Sequence, residues 1–296
     1  MRSTILKGWW LAVALSLLSA CSALRLAYDK GPTLAWWWLD GWGDFGGEQA
    51  QRVKDDIRSW FTWHRKAQLD AYAIWLARLQ AKSAESITPA QMCALADEAR
   101  QQLEPALQHA LVRMAPWVAS LSQAQLQHIA RRFAEGNEEL RREHLQPDPA
   151  EREAAARQRL QDRAERFYGR LNPAQRELLA RMLRSSPLEA ARWLAEREQR
   201  QQQTLQSLRR LVAERADAAR IAAVLQGLVH DAEHSPDPAY RAHQQRVRDF
   251  NCELAARLHE AAGPEQRRRL HERLQGWQDD LRLLAAQAGR EDSPLP

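Results

Sequence analysis

His230 and His234 stand four residues apart, with Asp231 and Glu233 between them. On a continuous helix that spacing puts both imidazoles on one face, an arrangement that can serve a metal ion. The helical signal ends there, at Ser235-Pro236, where the helix dipole alone favours histidine, so the pair is a weak metal candidate. Glu143-His144 and His271-Glu272 are single acid–base pairs on charged faces, and solvated surface accounts for both. Arg267-Arg268-Arg269 spreads around a helix within reach of Glu265 and Glu272; contact with anionic lipid is the alternative to a solvated face. Gly41-Trp42-Gly43-Asp44-Phe45-Gly46-Gly47 has the glycine density of a phosphate cradle. No strand signal precedes it and no Lys-Ser/Thr follows, which leaves a flexible corner. There is no HExxH, CxxC or nucleophile elbow, and no serine in a recognisable setting with His and Asp. These residues nominate no catalytic group and no cofactor site, so the expected function is non-enzymatic.

The cysteines say more. Arg2 and Lys7 form a short basic region, followed by an apolar run from Trp9 to Leu18. That run is too short to cross a hydrocarbon core of roughly 30 Å as a helix and reads as a signal peptide. Its ending, Leu18-Ser19-Ala20-Cys21, resembles the lipobox of bacterial lipoproteins. The resemblance implies diacylglycerol and a fatty acyl group on Cys21, which becomes the first residue after cleavage. An ordinary secretory signal is the alternative. Ser22, where an Asp would imply retention at the inner membrane, points to the outer membrane, with the chain facing the periplasm. Cys93 and Cys252 are then an even pair in an oxidising compartment, which suggests a disulfide; two separately buried thiols are the alternative.

Charge narrows the partners. The chain of 296 residues carries a formal +5, from 43 basic and 38 acidic residues. The basic residues are mostly Arg interspersed with Glu, a mixed helix surface rather than a nucleic-acid stripe, and export removes nucleic acid as a partner. The membrane and an envelope protein remain.

The elements that must position these residues are helical. Ala, Leu, Arg, Glu and Gln dominate after residue 47, and no period-2 alternation of β-branched residues occurs. Val53, Ile57, Trp60, His64, Ala67, Ala71, Ile74 and Ala77 mark the seam of one helix over 48–82. Leu194, Gln201, Leu205, Leu208, Val212, Ala219 and Leu225 mark another over 188–230. Thr88-Pro89-Ala90-Gln91, Ser122-Gln123-Ala124-Gln125, Asn172-Pro173-Ala174-Gln175 and Ser186-Pro187-Leu188-Glu189 each read as an N-terminal capping device, and Gly263-Pro264-Glu265-Gln266 as a weaker one. Gln146-Pro147-Asp148-Pro149 and Ser235-Pro236-Asp237-Pro238 must interrupt any helix, and Pro105 and Pro116 are expected to kink or end the one begun at Thr88. The expectation is an all-α, multi-helix bundle of antiparallel hairpins, seven or eight helices in all, compact or elongated.

Tryptophan is concentrated near the anchor, at Trp36, Trp37, Trp38 and Trp42. Three consecutive helical residues fan over about 200°, so Trp36–Trp38 cannot all face one core. Tryptophan favours the membrane–water interface, which makes the four residues membrane-interface candidates. The alternative buries the three between other helices.

Two resemblances follow. Leu24-Arg25-Leu26-Ala27-Tyr28, Pro32 through Asp40, Leu121 through Leu126, Arg131 through Ala134, Ser235 through Tyr240, Asn251-Cys252 and Gly276 through Leu281 together resemble an uncharacterised family of proteobacterial helical outer-membrane lipoproteins. That implies a location and a fold without an activity. The boxes beginning at Ile87, Leu121 and Leu171 are similar to the LTxxQ motif of Spy-like periplasmic chaperones, although this chain is longer and Trp-rich. The expected organisation is a lipoprotein signal peptide over 1–20, a lipid-anchored Trp-rich segment over 21–47, a helical domain over 48–289 and a frayed tail over 290–296. The expected work is binding of envelope protein partners through helical surfaces, in a structural, assembly or chaperone-like role. A lipid- or lipopolysaccharide-binding module is the alternative, and an enzyme acting on envelope polymers a more distant one.

Overall fold

The computed structural model describes residues 23–291, and side chains over 24–288. The signal segment 1–20, Cys21 and most of the tail lie outside these described residues. Within them are twelve α-helices and no strand. The helices are α1 (Ala23–Asp29), α2 (Gly31–Gly43), α3 (Gly47–Ala67), α4 (Leu69–Lys82), α5 (Pro89–Ala119) and α6 (Gln123–His144). They continue as α7 (Pro149–Tyr168), α8 (Pro173–Arg184), α9 (Ala190–Ala213), α10 (Ala218–Glu233), α11 (Pro238–Glu260) and α12 (Pro264–Glu291).

The count exceeds seven or eight because seams that look continuous in sequence are interrupted. Between α3 and α4 the backbone leaves helical geometry at Gln68 (φ −121°, ψ −34°). The core stripe Val53, Ile57, His64 then advances five residues to Leu69, and continues through Ala73, Leu76 and Gln80. Ala71, Ile74 and Ala77 therefore lose the core face, and Ile74 is 61% exposed. The expected helix over 188–230 is broken after Ala213, where Arg215 takes a left-handed φ of 50° and the Asp217 side chain caps α10. The two prolines err in the opposite direction. Pro105 and Pro116 both lie inside α5, a continuous helix of 31 residues. Its many contacts outweigh the hydrogen bond each proline removes.

Three of the capping devices form as read. Thr88, Ser122 and Asn172 each accept from the backbone N–H of the glutamine three residues on, whose side chain returns a bond to the cap N–H. At Ser186 the reading fails: α9 starts at Ala190, its N-cap is Glu189 without a side-chain cap, and Ser186 Oγ instead accepts from Leu188 N–H.

Helix α5 is central, packing on α3, α4, α9, α10 and α11, while α4 lies along α12. Leu69, Ala73 and Leu76 of α4 meet Leu270, Leu274, Leu281 and Leu284 of α12. A second cluster joins Leu111 and Val118 of α5 to Leu126, Leu208, Leu211 and Ile221. A third joins α7 and α8 to Leu254 and Leu258 of α11. A smaller fourth, Val53, Ile57 and Trp117, supports the inner side of α2. Each fully buried leucine contributes roughly 1.5–3 kcal/mol.

Candidate functional site

Two features stand out: the outer side of α2 and a cavity among α4, α5, α9, α10 and α11. Helix α2 is entered through Pro32 in its first turn and ended by Asp44, which adopts a left-handed φ of 45°. Asp40 Oδ1 accepts from Phe45 N–H at 3.0 Å and closes the corner. Gly43 is buried directly against the Phe45 ring, where a Cβ would collide. The glycine-rich stretch is thus an ordered turn that aims α2.

That aim divides the tryptophans. Trp36 turns inward beside Phe45, ring centroids 6.3 Å apart, with Lys54 Nζ 4.4 Å above its ring. Trp42 is half-buried, 5.4 Å from the Phe133 ring and 6.3 Å from that of Trp38. Trp37 and Trp38 are each 65% exposed and Leu34 is 49% exposed. Burial of all three consecutive tryptophans between helices is therefore overturned, for the reason of angular spread. Positions 34, 37 and 38 follow the i, i+3, i+4 rule, so they form one outward stripe. Beneath it, Trp38, Leu39, Ile57, Trp60 and Met114 are among the residues around an apolar cavity of about 270 Å³. A helix that is apolar all round is ordinarily buried. This one is not.

The larger cavity holds about 690 Å³ and is lined mainly by apolar groups, among them Leu79, Met92, Leu95, Val247 and Ala255. Cys252 is on its wall. The Cys93 and Cys252 sulfurs lie at bonding distance, 1.94 Å, with Cα atoms 5.3 Å apart, so the bridge ties α5 to α11. His243 lines the same space, is 2% exposed, and neither ring nitrogen has a hydrogen-bond partner. Its nearest acid is Glu189, at 3.9 Å. Burial holds its pKa below the usual imidazole range, Arg192 and Arg246 add to that, and Glu189 opposes it. The ring is therefore neutral at pH 7, with one donor and one acceptor. Trp75 is also on this wall, and its indole N–H is buried without an acceptor. Arg200 and Arg248 also line it, and their guanidinium groups are paired with Glu196 at 3.4 Å and Asp97 at 2.5 Å.

The remaining sequence candidates are placed as follows. The His230 and His234 rings stack with centroids 4.9 Å apart. Among the described residues no group of three or more His, Cys, Asp or Glu gathers that could hold a metal ion. Arg268 is bridged to Glu265 and Glu272, and Arg269 to Glu265, so much of that basic run is internally paired. The capping glutamines do more than cap. Gln125 Nε2 donates to the Gly43 and Asp44 carbonyls at 2.8 and 3.1 Å, which ties the α6 start to the α2 corner. Gln175 Nε2 donates to Ala261 O at 2.9 Å, and Gln175 and Gln266 exchange side-chain bonds between the starts of α8 and α12. The LTxxQ-like boxes thus have a full structural account here.

Sequence reasoning passed over Trp75 and His243, because their roles depend on which helices meet. It placed His64 on the core seam without its partners. That ring is buried, stacks on Trp60 at 4.5 Å, and is 2.9 Å from the Tyr28 hydroxyl and 3.3 Å from that of Tyr72.

Fold and site together define an all-α bundle with an interhelical apolar cavity and an outward aromatic helix near its N-terminal end. The family model described as a family of unknown function, DUF6279, matches residues 42–241, and the chain belongs to that family. Comparison with curated proteins and with solved structures gives no match.

Proposed function

We propose that the protein is an outer-membrane lipoprotein that faces the periplasm and acts by binding rather than by catalysis. In this reading acyl chains on Cys21 hold it to the bilayer, α2 rests in the membrane interface, and the helical sides meet a protein partner of the envelope. The observation that carries the reading is the stripe of Leu34, Trp37 and Trp38, exposed on a helix otherwise fit for burial. Its position supports the same reading. Cys21 precedes Ala23 by two residues, at most about 7 Å of chain, and α1 leads directly into α2. Among the described residues no helix is long and apolar enough to cross a membrane, so the bilayer contact proposed here is a surface seat. Indole rings suit that seat, with an apolar face for the acyl boundary and an N–H for the headgroups.

The test is depth-dependent quenching. The lipidated protein in phospholipid vesicles with brominated acyl chains should lose tryptophan emission, and a Trp37→Ala/Trp38→Ala variant should lose much less. Equal quenching of both proteins would show that the stripe does not touch lipid. In vivo photocrosslinking from the outer faces of α6 and α9 tests the protein-partner part separately, with capture of one reproducible envelope protein as the expected result.

A further inference from the structure

We propose that the cavity of about 270 Å³ beneath α2 takes up one acyl chain of a bilayer lipid, which enters past Trp38; this rests on the membrane seat proposed for α2. Two observations carry it. The first is an apolar space left unfilled by side chains. Protein interiors pack as densely as organic crystals, with few voids larger than a water molecule. An apolar cavity of about 150 Å³ already stays dry and binds a benzene-sized molecule. This one is larger. The second observation is its place. Trp38 is 65% exposed on the outward stripe and also stands on the cavity wall. The cavity therefore borders the face that the seat turns toward the bilayer, where acyl chains are most concentrated.

The walls select hydrocarbon over a head group. Ala35, Leu39, Ile57 and Phe61 offer only carbon. The polar groups around the inner wall are already matched within the protein. Trp117 Nε1–H donates to Asp56 at 2.7 Å, Arg113 pairs with Asp56 at 3.6 Å, and Trp60 Nε1–H donates to the Ala106 carbonyl at 3.1 Å. A polar head placed among them would give up its bonds to water without gaining partners, whereas a hydrocarbon chain gives up none. The α5 part of the wall, Ala110 to Trp117, spans about 10 Å of helix axis, which suits the terminal part of an acyl chain. Met114 adapts the wall to the chain, because its unbranched thioether re-packs at low cost. The ester and head group then stay outside, beside Leu34 and Trp37.

The test uses the lipidated full-length protein in phosphatidylcholine vesicles that contain a trace of phospholipid with a photoreactive diazirine in one acyl chain. A diazirine at the chain terminus should give adducts on Ile57 and Met114 as well as on α2. A diazirine next to the ester should label α2 alone. Ile57 is 5% exposed, so lipid that only lies against the outer stripe does not reach it. Ala110→Leu, which fills part of the space, should remove most of the inner adducts and leave those on α2 unchanged. Terminal-probe adducts confined to α2 would overturn the acyl site while the seat stands. Inner adducts undiminished in a folded Ala110→Leu protein would overturn it as well. Absence of all adducts from α2 would overturn the seat and the acyl site together. The comparison of the two probe positions needs only the parent protein, so it decides the matter even if the variant fails to fold.

Discussion

Acidification from pH 7 to pH 4.5 should weaken the junction of α1, α3 and α4 through one residue, His64. Burial against Trp60 and Tyr28 lowers its pKa from 6.5 to about 4. The Tyr28 and Tyr72 hydroxyls hold the ring at 2.9 and 3.3 Å. Because the folded pKa lies below the unfolded one, the unfolded chain binds more protons between the two values. The stabilisation is fully present above pH 6.5 and is lost as pH falls toward 4. Between pH 7 and pH 4.5 the loss from this group is about 2.5 kcal/mol, from the proton-binding difference at 1.36 kcal/mol per unit. His109, His144, His243 and His259 are also depressed, so the whole protein loses more. A His64→Gln variant isolates the single contribution, since glutamine keeps hydrogen-bonding capacity without titrating. Urea unfolding of both proteins at the two pH values, followed by circular dichroism, gives the difference. The variant is expected to be less stable at pH 7 and to lose about 2.5 kcal/mol less on acidification. Equal losses for parent and variant would refute a neutral, buried His64.

The capping glutamines look alike in sequence and should differ in energy. Gln175→Leu removes a cap bond and the links to Ala261 and Gln266, and is expected to cost about 2–3 kcal/mol, whereas Gln91→Leu, half-buried and with only local bonds to Thr88, should cost about 1 kcal/mol by the same urea assay. Reduction of the Cys93–Cys252 bridge, which spans 159 residues, should lower stability by about 2–5 kcal/mol; two free thiols in mass spectrometry of the unreduced protein would contradict the bridge. Arg25 lies 3.1 Å from the largely buried Asp280 and helps to pin α1 to α12. Arg25→Ala should therefore speed amide hydrogen exchange in α1 while the α4–α12 core stays protected, and unchanged exchange in α1 would show that this ion pair does not hold it.

Local rules carried much of the fold. Ser-x-x-Gln and Asn-Pro-x-Gln announce helix starts because every contact they need lies within four residues, and Ser122 and Asn172 form those starts as read. The angular argument at Trp36–Trp38 likewise needed only helix geometry, and Trp37 and Trp38 do face outward. Features set by distant chain were hidden. The five-residue step from His64 to Leu69 follows from α4 lying along α12, about two hundred residues downstream in sequence. Pro105 and Pro116 carry strong breaking signals that the packing around α5 overrides. The larger cavity was the least legible feature, because its walls come from five helices whose meeting no local pattern records. Ser186 shows the converse: a good local capping signal gives way when the chain needs the turn for another course.

The measurement closest to the central claim is metabolic labelling with radioactive palmitate in cells making the full chain, with Cys21→Ala in parallel. The account predicts label on the parent protein, its fractionation with the outer membrane, and the loss of both in the variant. A parent chain as unlabelled as the variant would contradict the anchor, and with it the seat proposed for α2.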